Sequence, residues 1–193
     1  MPAEPSRVIL VRHGRTALNA EGRLRGLADP ELDDTGVAEA RATAAALRPL
    51  GIRRVLSSPL QRAVRTAAII AEASGVISHA DPAFNDRDYG PWTGHVKADV
   101  IRQWGSVDAA PGVEDEQAVL ARSMQALDAL THDGDAAPVV VVTHDAVIRP
   151  LLAGIQPGID PAVETGSWAE LVHTGAGWAI ASVDNTAPAA ADG

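Results

Sequence analysis

Cysteine is absent from the 193-residue sequence, and no apolar run approaches the roughly 20 residues that a membrane-spanning helix requires. Without cysteine the chain can form no disulfide, use no thiolate nucleophile and bind no metal through sulfur. The opening residues, MPAEPSR, lack the basic start and apolar core of a secretory signal. These absences predict a soluble, cytoplasmic protein with no membrane partner.

Two common ligand-binding motifs are also missing. No GxxxxGKS or GxxxxGKT stretch is present, which excludes the usual phosphate-binding loop of nucleotide hydrolases. No two histidines stand at the His-x-x-x-His spacing, and the arginines beside one of the histidines would repel a divalent cation. We therefore predict neither a metal nor a cofactor.

Acidic residues outnumber basic ones by 25 to 16, for a formal net charge of −9. This balance argues against a broad nucleic-acid or anionic-membrane surface. The stretch 7–25 is the exception, with five arginines and one acidic residue. A local anion site and a basic, solvated loop are both consistent with it.

Short unbroken runs rich in β-branched residues predict buried strands at 7–12 and 138–143. A third strand is expected between them, at 53–58. Helical patterns lie between them, at 35–47, 58–75 and 114–130. Strands that alternate with helices predict an α/β fold with a mostly parallel sheet. The helix at 58–75 has a capping-box start, with Ser58 as the N-cap, Pro59 at N1 and Gln61 at N3, and Gly75 as its end.

The last part of the chain has a different pattern. The stretches 168–173 and 178–184 flank TGAG, which predicts a late hairpin at the edge of the sheet. The exposed edge could pair two copies, so a homodimer is one expectation and the oligomeric state is left open. We predict a single domain over residues 1–183, followed by a frayed tail at 184–193.

Two histidines occupy equivalent positions relative to predicted strands. His13 lies two residues after the run Val8–Val11, and His144 lies two residues after the run 139–142. In an open α/β sheet, ligands bind at the carboxyl ends of the strands. Arg62 falls in the first turn of a helix, where a cation opposes the helix dipole and favours a bound anion. The alternatives are locally bonded turn histidines and an exposed arginine that pairs with an acid.

These residues resemble the histidine phosphatase superfamily, the phosphoglycerate-mutase-like proteins with an RHG motif, and within it the small phosphatases. The similar blocks occur in the expected order up to about residue 155. They are RHGRTALN (12–19), RLRGLADPELDDTGVAEA (23–40), SSPLQRAVRTA (57–67), DRDYGPWTG (86–94), PGVED (111–115) and THDAVIRPLL (143–152). The resemblance implies a three-layer αβα sandwich with a mostly parallel central sheet.

The resemblance also implies roles for individual residues. His13 would be the nucleophile that becomes phosphorylated. Arg12, Arg62 and His144 would form the phosphate pocket, with Asn19 as a further ligand, and His144 would also take part in catalysis. Two arginines and an imidazole match the charge of a phosphate monoester, about −1.5 to −2, and no metal is required.

Two positions depart from the family pattern. Asp86 stands where the family places a glutamate as general acid and base, and Asp88 is a nearby competitor. Asp145 follows His144, where many small members have glycine. In the acid-phosphatase branch of the superfamily, an aspartate directly after this histidine is the proton donor, so Asp145 is an alternative to Asp86 as the general acid. Asp145 could instead be the N-cap of the following helix. Our prediction is Asp86.

The predicted function is hydrolysis of a small phosphorylated metabolite through a phosphohistidine at His13. The short segment after Gly94 offers little material to shelter that intermediate, which favours a phosphatase over a mutase. Phosphoglycerate-mutase-type transfer and a non-catalytic phosphate- or phosphoprotein-binding module are the alternatives. Substrate specificity is expected in residues 92–115 and in three arginines, Arg15, Arg23 and Arg25.

Overall fold

The computed structural model describes residues 6–133 and 137–188. The strands are β1 (Ser6–Arg12), β2 (Arg54–Ser57), β3 (Ser78–Ala80), β4 (Val139–Thr143), β5 (Trp168–Thr174) and β6 (Gly177–Asn185). The helices are α1 (Ala17–Ala20), α2 (Asp34–Leu47), α3 (Gln61–Ser74), α4 (Lys97–Trp104), α5 (Glu116–Ala129) and α6 (Asp145–Ile155). Short 3₁₀ turns lie at Arg48–Leu50, Pro82–Phe84, Gly90–Trp92 and Leu130–Asp133.

All six strands belong to one sheet, in the order β3-β2-β4-β1-β5-β6. The first four are mutually parallel, whereas β5 runs antiparallel to β1 and β6 antiparallel to β5. The prediction of a mostly parallel sheet is therefore confirmed. Because β1 and β4 are adjacent and parallel, the residues that follow them meet at one edge of the sheet.

Helices cover both faces of the sheet, and β1 contributes to both layers of core. Ile9 and Val11 pack with residues of α2 and α3, whereas Val8 and Leu10 pack with residues of α5 and α6. All four are at most 1% exposed, and burial of each such side chain contributes about 1.5–3 kcal/mol to stability. This double burial explains why positions 8–11 of the strand are all apolar, and it confirms the three-layer αβα sandwich.

The start of α3 differs from the prediction. Its N-cap is Leu60, which makes no side-chain cap bond, so the capping box expected at Ser58 is wrong. The backbone N–H of Gln61 is instead capped by Asp29 Oδ1, at 2.7 Å. The end of the helix is as predicted, since Gly75 adopts a left-handed conformation with φ 69°.

The late hairpin is confirmed as β5 and β6. Strand β6 continues to Asn185, so residues 184 and 185 are part of the sheet rather than of the predicted tail. Residues 189–193 of that tail lie outside the described residues. Within the described ranges, no helix has both the length and the apolar character to cross a membrane.

Candidate active site

The two histidines meet at the carboxyl edge of the sheet. His13 follows β1 and His144 follows β4, and the backbone N–H of His13 donates to Thr143 O at 3.0 Å. The ring centroids lie 5.0 Å apart, and both residues are completely buried. Arg62, in the first turn of α3, places its Nε 3.3 Å from His13 Nε2. The structure thus joins three predicted site residues from separate parts of the chain.

The turn after His13 is held by a close backbone approach. A Cβ on Gly14 would lie 2.3 Å from Gly36 O, and a Cβ on Gly36 would lie 2.1 Å from Arg15 O. The N–H of Gly14 donates to Thr66 Oγ1 at 3.1 Å. Only glycine fits at both positions, and this allows the start of α2 to pack directly against the turn that follows His13.

The hydrogen bonds of His13 define its tautomer. Nδ1 lies 2.7 Å from Gly14 O, and a carbonyl oxygen accepts only, so Nδ1 carries the proton. Nε2 therefore keeps a lone pair, toward which Arg62 Nε donates. Burial, together with the neighbouring charges of His144 and Arg62, lowers the pKa of His13 well below its usual value. The ring is neutral at physiological pH, with Nε2 able to attack an electrophile.

Arg62 is fully buried and bonded on each terminal nitrogen. It donates to Ala28 O at 2.7 Å, to Gly26 O at 2.9 Å and to Asp86 Oδ2 at 2.8 Å. These contacts hold the guanidinium plane beside His13. Backbone carbonyls of the loop that follows α1 therefore position the guanidinium of Arg62, which lies on α3.

Asp86 lies on the other side of Arg62 and is only 2% exposed. Its Oδ2 is 3.4 Å from His144 Nδ1, and its Oδ1 accepts from the backbone N–H of Arg87. Burial raises the pKa of Asp86 to about 6, although Arg62 acts to lower it. A carboxyl with this pKa can both donate and accept a proton near neutral pH. We call His13, Arg62, Asp86 and His144 the floor of the site.

Arg122 positions the segment that carries Asp86, and the sequence analysis missed it. From α5 it donates to the backbone carbonyls of Ala83, Asn85 and Asp86, at 2.8, 2.8 and 3.1 Å. An arginine in a helix 36 residues away from Asp86 carries no local sequence signal that would reveal this contact.

Three charged residues form what we call the mouth of the site: Arg12, Arg25 and Asp145. Asp145 Oδ1 accepts from Arg25 at 2.8 Å and lies 3.9 Å from an Arg12 nitrogen. Burial alone would raise the pKa of Asp145, but the two guanidinium groups outweigh it and hold the pKa well below the usual range. His144 is the N-cap of α6, so the interpretation of Asp145 as an N-cap is wrong.

Several buried side-chain nitrogens in the floor and mouth are unpaired. Arg12 Nε, Arg25 Nε and both ring nitrogens of His144 have no hydrogen-bond partner among the described residues. Burial lowers the pKa of His144 well below its usual value, so its neutral ring has one N–H donor and one acceptor nitrogen. The 3.4 Å approach of His144 Nδ1 to Asp86 lacks hydrogen-bond geometry. Since buried polar groups are nearly always satisfied, such a group of cationic and imidazole nitrogens is suited to bind an anion.

For other residues predicted for the site, the described contacts are with groups outside the floor and mouth. Asn19 Oδ1 accepts from Thr16 in the capping box of α1, and no described contact links Asn19 to His13. Arg15 pairs with Asp33 at 2.8 Å. Asp88 is exposed and accepts from the N–H of Gly90, so it does not share the position of Asp86.

A cleft of about 290 Å³ opens next to Asp145. Its lining includes Tyr89, Lys97 and Val107, and thus part of the 92–115 segment predicted to carry specificity. Its size is close to the lower limit for a small-molecule site. No group of three or more histidine, aspartate or glutamate side chains within the described ranges is arranged to hold a metal ion.

Comparison with known proteins agrees with this geometry. Residues 8–186 match the family described as histidine phosphatase superfamily (branch 1). A 2,3-bisphosphoglycerate-dependent phosphoglycerate mutase of Methylobacterium sp. is 42% identical over 103 residues, which are 51% of this chain and 50% of that protein. A bifunctional protein of Mycobacterium tuberculosis is 34% identical over 158 residues, 77% of this chain and 43% of that protein. The chain thus spans about half or less of these relatives.

Solved structures show the same architecture. A mycobacterial glucosyl-3-phosphoglycerate phosphatase, in complex with VO3, matches with a TM-score of 0.82 at 25% identity over 94% of this chain and all of the other. A phosphoglycerate mutase of Bacillus anthracis matches with a TM-score of 0.86 at 22% identity over 95% of each chain, which concerns the fold alone. The chain belongs to the histidine phosphatase superfamily, and the resemblance inferred from the sequence is confirmed.

Proposed function

We propose that the protein is a phosphomonoesterase that hydrolyses a small phosphorylated metabolite through a phosphohistidine at His13. The observation that carries the proposal is the group of unpaired buried nitrogens on Arg12, Arg25 and His144 in the floor and mouth, which also hold His13 and Arg62. The three guanidinium groups match the charge of a phosphate group, and they and the His144 N–H can donate to its several acceptor oxygens.

The first step transfers the phosphoryl group to His13. Nε2 attacks the phosphorus atom in line with the departing alcohol, the bond to the alcohol oxygen breaks, and Asp86 gives its proton to that oxygen. Arg12, Arg62 and His144 stabilise the charge on the three equatorial oxygens. The neutral state and fixed tautomer of His13 support its role as the nucleophile.

The second step releases phosphate. Water attacks the phosphorus of phosphohistidine, the phosphorus–nitrogen bond breaks, and the Asp86 carboxylate accepts the proton of the water. The products are inorganic phosphate, neutral His13 and protonated Asp86, so the cycle closes without a metal or cofactor in the proposed chemistry.

Asp86 is favoured over Asp145 as the acid for an electrostatic reason. Its raised pKa of about 6 leaves a usable protonated fraction near neutral pH. Asp145 is held as an anion by Arg12 and Arg25 and has no proton to donate there.

Comparison with relatives supports phosphatase chemistry, and it leaves phosphoglycerate-mutase activity as a second candidate function. The glucosyl-3-phosphoglycerate phosphatase is similar along almost its whole length. The Methylobacterium relative, however, is a mutase, and the full burial of His13 would suit sheltering of a phosphohistidine. A mutase of this type converts one phosphoglycerate into another rather than releasing phosphate.

The test is phosphate release from a panel of sugar phosphates, nucleotides and phosphoglycerates, by the wild type and by His13→Ala. The proposal expects turnover of at least one substrate and loss of it in the variant. Conversion of 3-phosphoglycerate to 2-phosphoglycerate without phosphate release would favour the mutase. Phosphate binding with no turnover on the whole panel would favour a non-catalytic binding module.

Cellular setting and partners also belong to the proposal. We expect a cytoplasmic enzyme whose only required partner is its small phosphorylated substrate, without nucleic acid, and with a homodimer as one possible assembly. Cell fractionation, activity in the presence of EDTA, and sedimentation would each test one of these expectations.

A further inference from the structure

Two residues other than glycine have a positive φ within the described ranges, Val163 at 47° and Asp184 at 52°. This conformation is unfavourable for an L-residue and most unfavourable for a β-branched one such as valine. The two residues are 21 positions apart in sequence, yet the N–H of Val163 donates to Asp184 Oδ1 at 2.8 Å. The two unfavourable conformations therefore form one connected unit.

Asp184 occupies a bulge near the end of β6. Trp168 pairs with Asn185 and Glu170 with Ser182, so β6 has one more residue than β5 between these two pairs. A bulge residue in the left-handed region is usually glycine. Aspartate here supplies a carboxylate that glycine lacks, and it accepts from the N–H groups of Ala162 and Val163, at 3.0 and 2.8 Å.

The carbonyl of Val163 in turn contacts the mouth of the site. Val163 is 4% exposed, and its oxygen accepts from Arg12 Nη1 at 2.6 Å. That distance is far shorter than the 3.9 Å between Arg12 and Asp145. The contact with the Val163 carbonyl is therefore the shorter of these two contacts of the Arg12 guanidinium, while Arg12 Nε–H has no acceptor among the described residues.

We propose that Asp184 is a positioning residue for phosphate binding: it holds Val163 in its left-handed conformation, and the Val163 carbonyl then fixes the Arg12 guanidinium. The inference rests on the proposed function, because it assumes that Arg12 contacts the phosphate. It assigns to the last strand, which lies more than 20 residues beyond the motif blocks quoted from the sequence, a part in building the anion site.

The first experiment measures binding of inorganic phosphate by calorimetry, so that it does not depend on turnover. Asp184→Ala should weaken binding about tenfold, the scale of one hydrogen bond to a charged group. Asp160→Ala is the matched control: it removes an aspartate of the loop that carries Val163, with a side chain that is 96% exposed and paired with Arg149, and binding should not change.

The outcomes separate the two proposals. If the wild type binds no phosphate, the proposed function is wrong and this inference is lost with it. If the wild type binds phosphate and folded Asp184→Ala binds it within about twofold of that affinity, only the positioning role is overturned. A merely structural role would lower the melting temperature and leave phosphate affinity unchanged.

A rescue experiment tests the conformational part of the proposal. Glycine adopts a positive φ without steric cost, so Val163→Gly combined with Asp184→Ala should recover affinity to within about threefold of the wild type. A folded double variant that binds as weakly as Asp184→Ala overturns the strain explanation. Should Asp184→Ala fail to fold, Asp184→Gly removes the same carboxylate at no steric cost for the positive φ. It should bind phosphate about tenfold more weakly than the wild type, and wild-type affinity in it would overturn the proposal.

Discussion

The floor and the mouth of the site each contain one aspartate beside arginine, yet the two carboxyl groups have opposite properties. Asp86 in the floor has a 1% exposed side chain and one ion-pairing guanidinium, and its pKa is raised to about 6. Asp145 in the mouth is 22% exposed and lies between two guanidinium groups, and its pKa is lowered. Burial dominates in the floor and charge dominates in the mouth. Residue type alone therefore does not decide which aspartate can carry a proton.

The largest effect that we expect is from His13→Ala in the floor. Removal of a nucleophile should reduce kcat/KM by on the order of 10⁴-fold or more. The measurement is phosphate release in the steady state, with an alkaline quench that traps the phosphorylated protein, because phosphohistidine is stable to alkali and labile to acid. His79→Ala, an exposed histidine on β3, is the control, and activity equal to the wild type in His13→Ala would refute the floor as the reaction centre.

Asp86→Asn should have the next largest effect, a loss of about 10²–10³-fold in kcat, as expected when a general acid is removed. The acid must be protonated to act, so kcat/KM of the wild type should fall as pH rises through about 6. The variant should lack this decline, because asparagine does not titrate. A pH profile that is the same in both proteins would assign the proton to another group.

Gly36→Ala tests the support of the floor. Alanine normally stabilises a helix relative to glycine, by about 1 kcal/mol, but a Cβ here would lie 2.1 Å from Arg15 O. We therefore expect a loss of about 2 kcal/mol in the free energy of unfolding, as for an overpacked site. Urea denaturation measures it, and Gly175→Ala, with open space around it, should be near neutral. A stabilised Gly36→Ala would show that the turn can move.

Asp145→Asn should have the smallest effect of the four variants on activity. Unlike the others, it should increase the affinity for phosphate. Without the carboxylate, the positive charges of Arg12 and Arg25 are no longer neutralised by Asp145. Inorganic phosphate should therefore bind about fivefold more tightly. The value of kcat should change by less than about threefold. A loss of kcat comparable to that of Asp86→Asn would make Asp145 the acid and remove the contrast between floor and mouth.

The two histidines were predictable because a local pattern and a general rule coincide. Each follows a β-branched run at the same spacing, and parallel neighbouring strands bring such residues to one edge. The cap of α3 was not predictable in this way, because Asp29 supplies it from 32 residues away while Ser58 carried the local signal. Arg122 and Asp184 were missed for the same reason: each acts on the site through a distant backbone segment.

The sequence alone predicted the layered α/β fold and the family. It also predicted the candidate residues His13, Arg62, Asp86 and His144. These depend on periodicity and on motifs that are local in the chain. Only the tertiary structure decided the state of each group: the tautomer of His13 and the opposite pKa shifts of Asp86 and Asp145. Those properties depend on burial and on the distances between charges, which arise when segments far apart in the chain pack together.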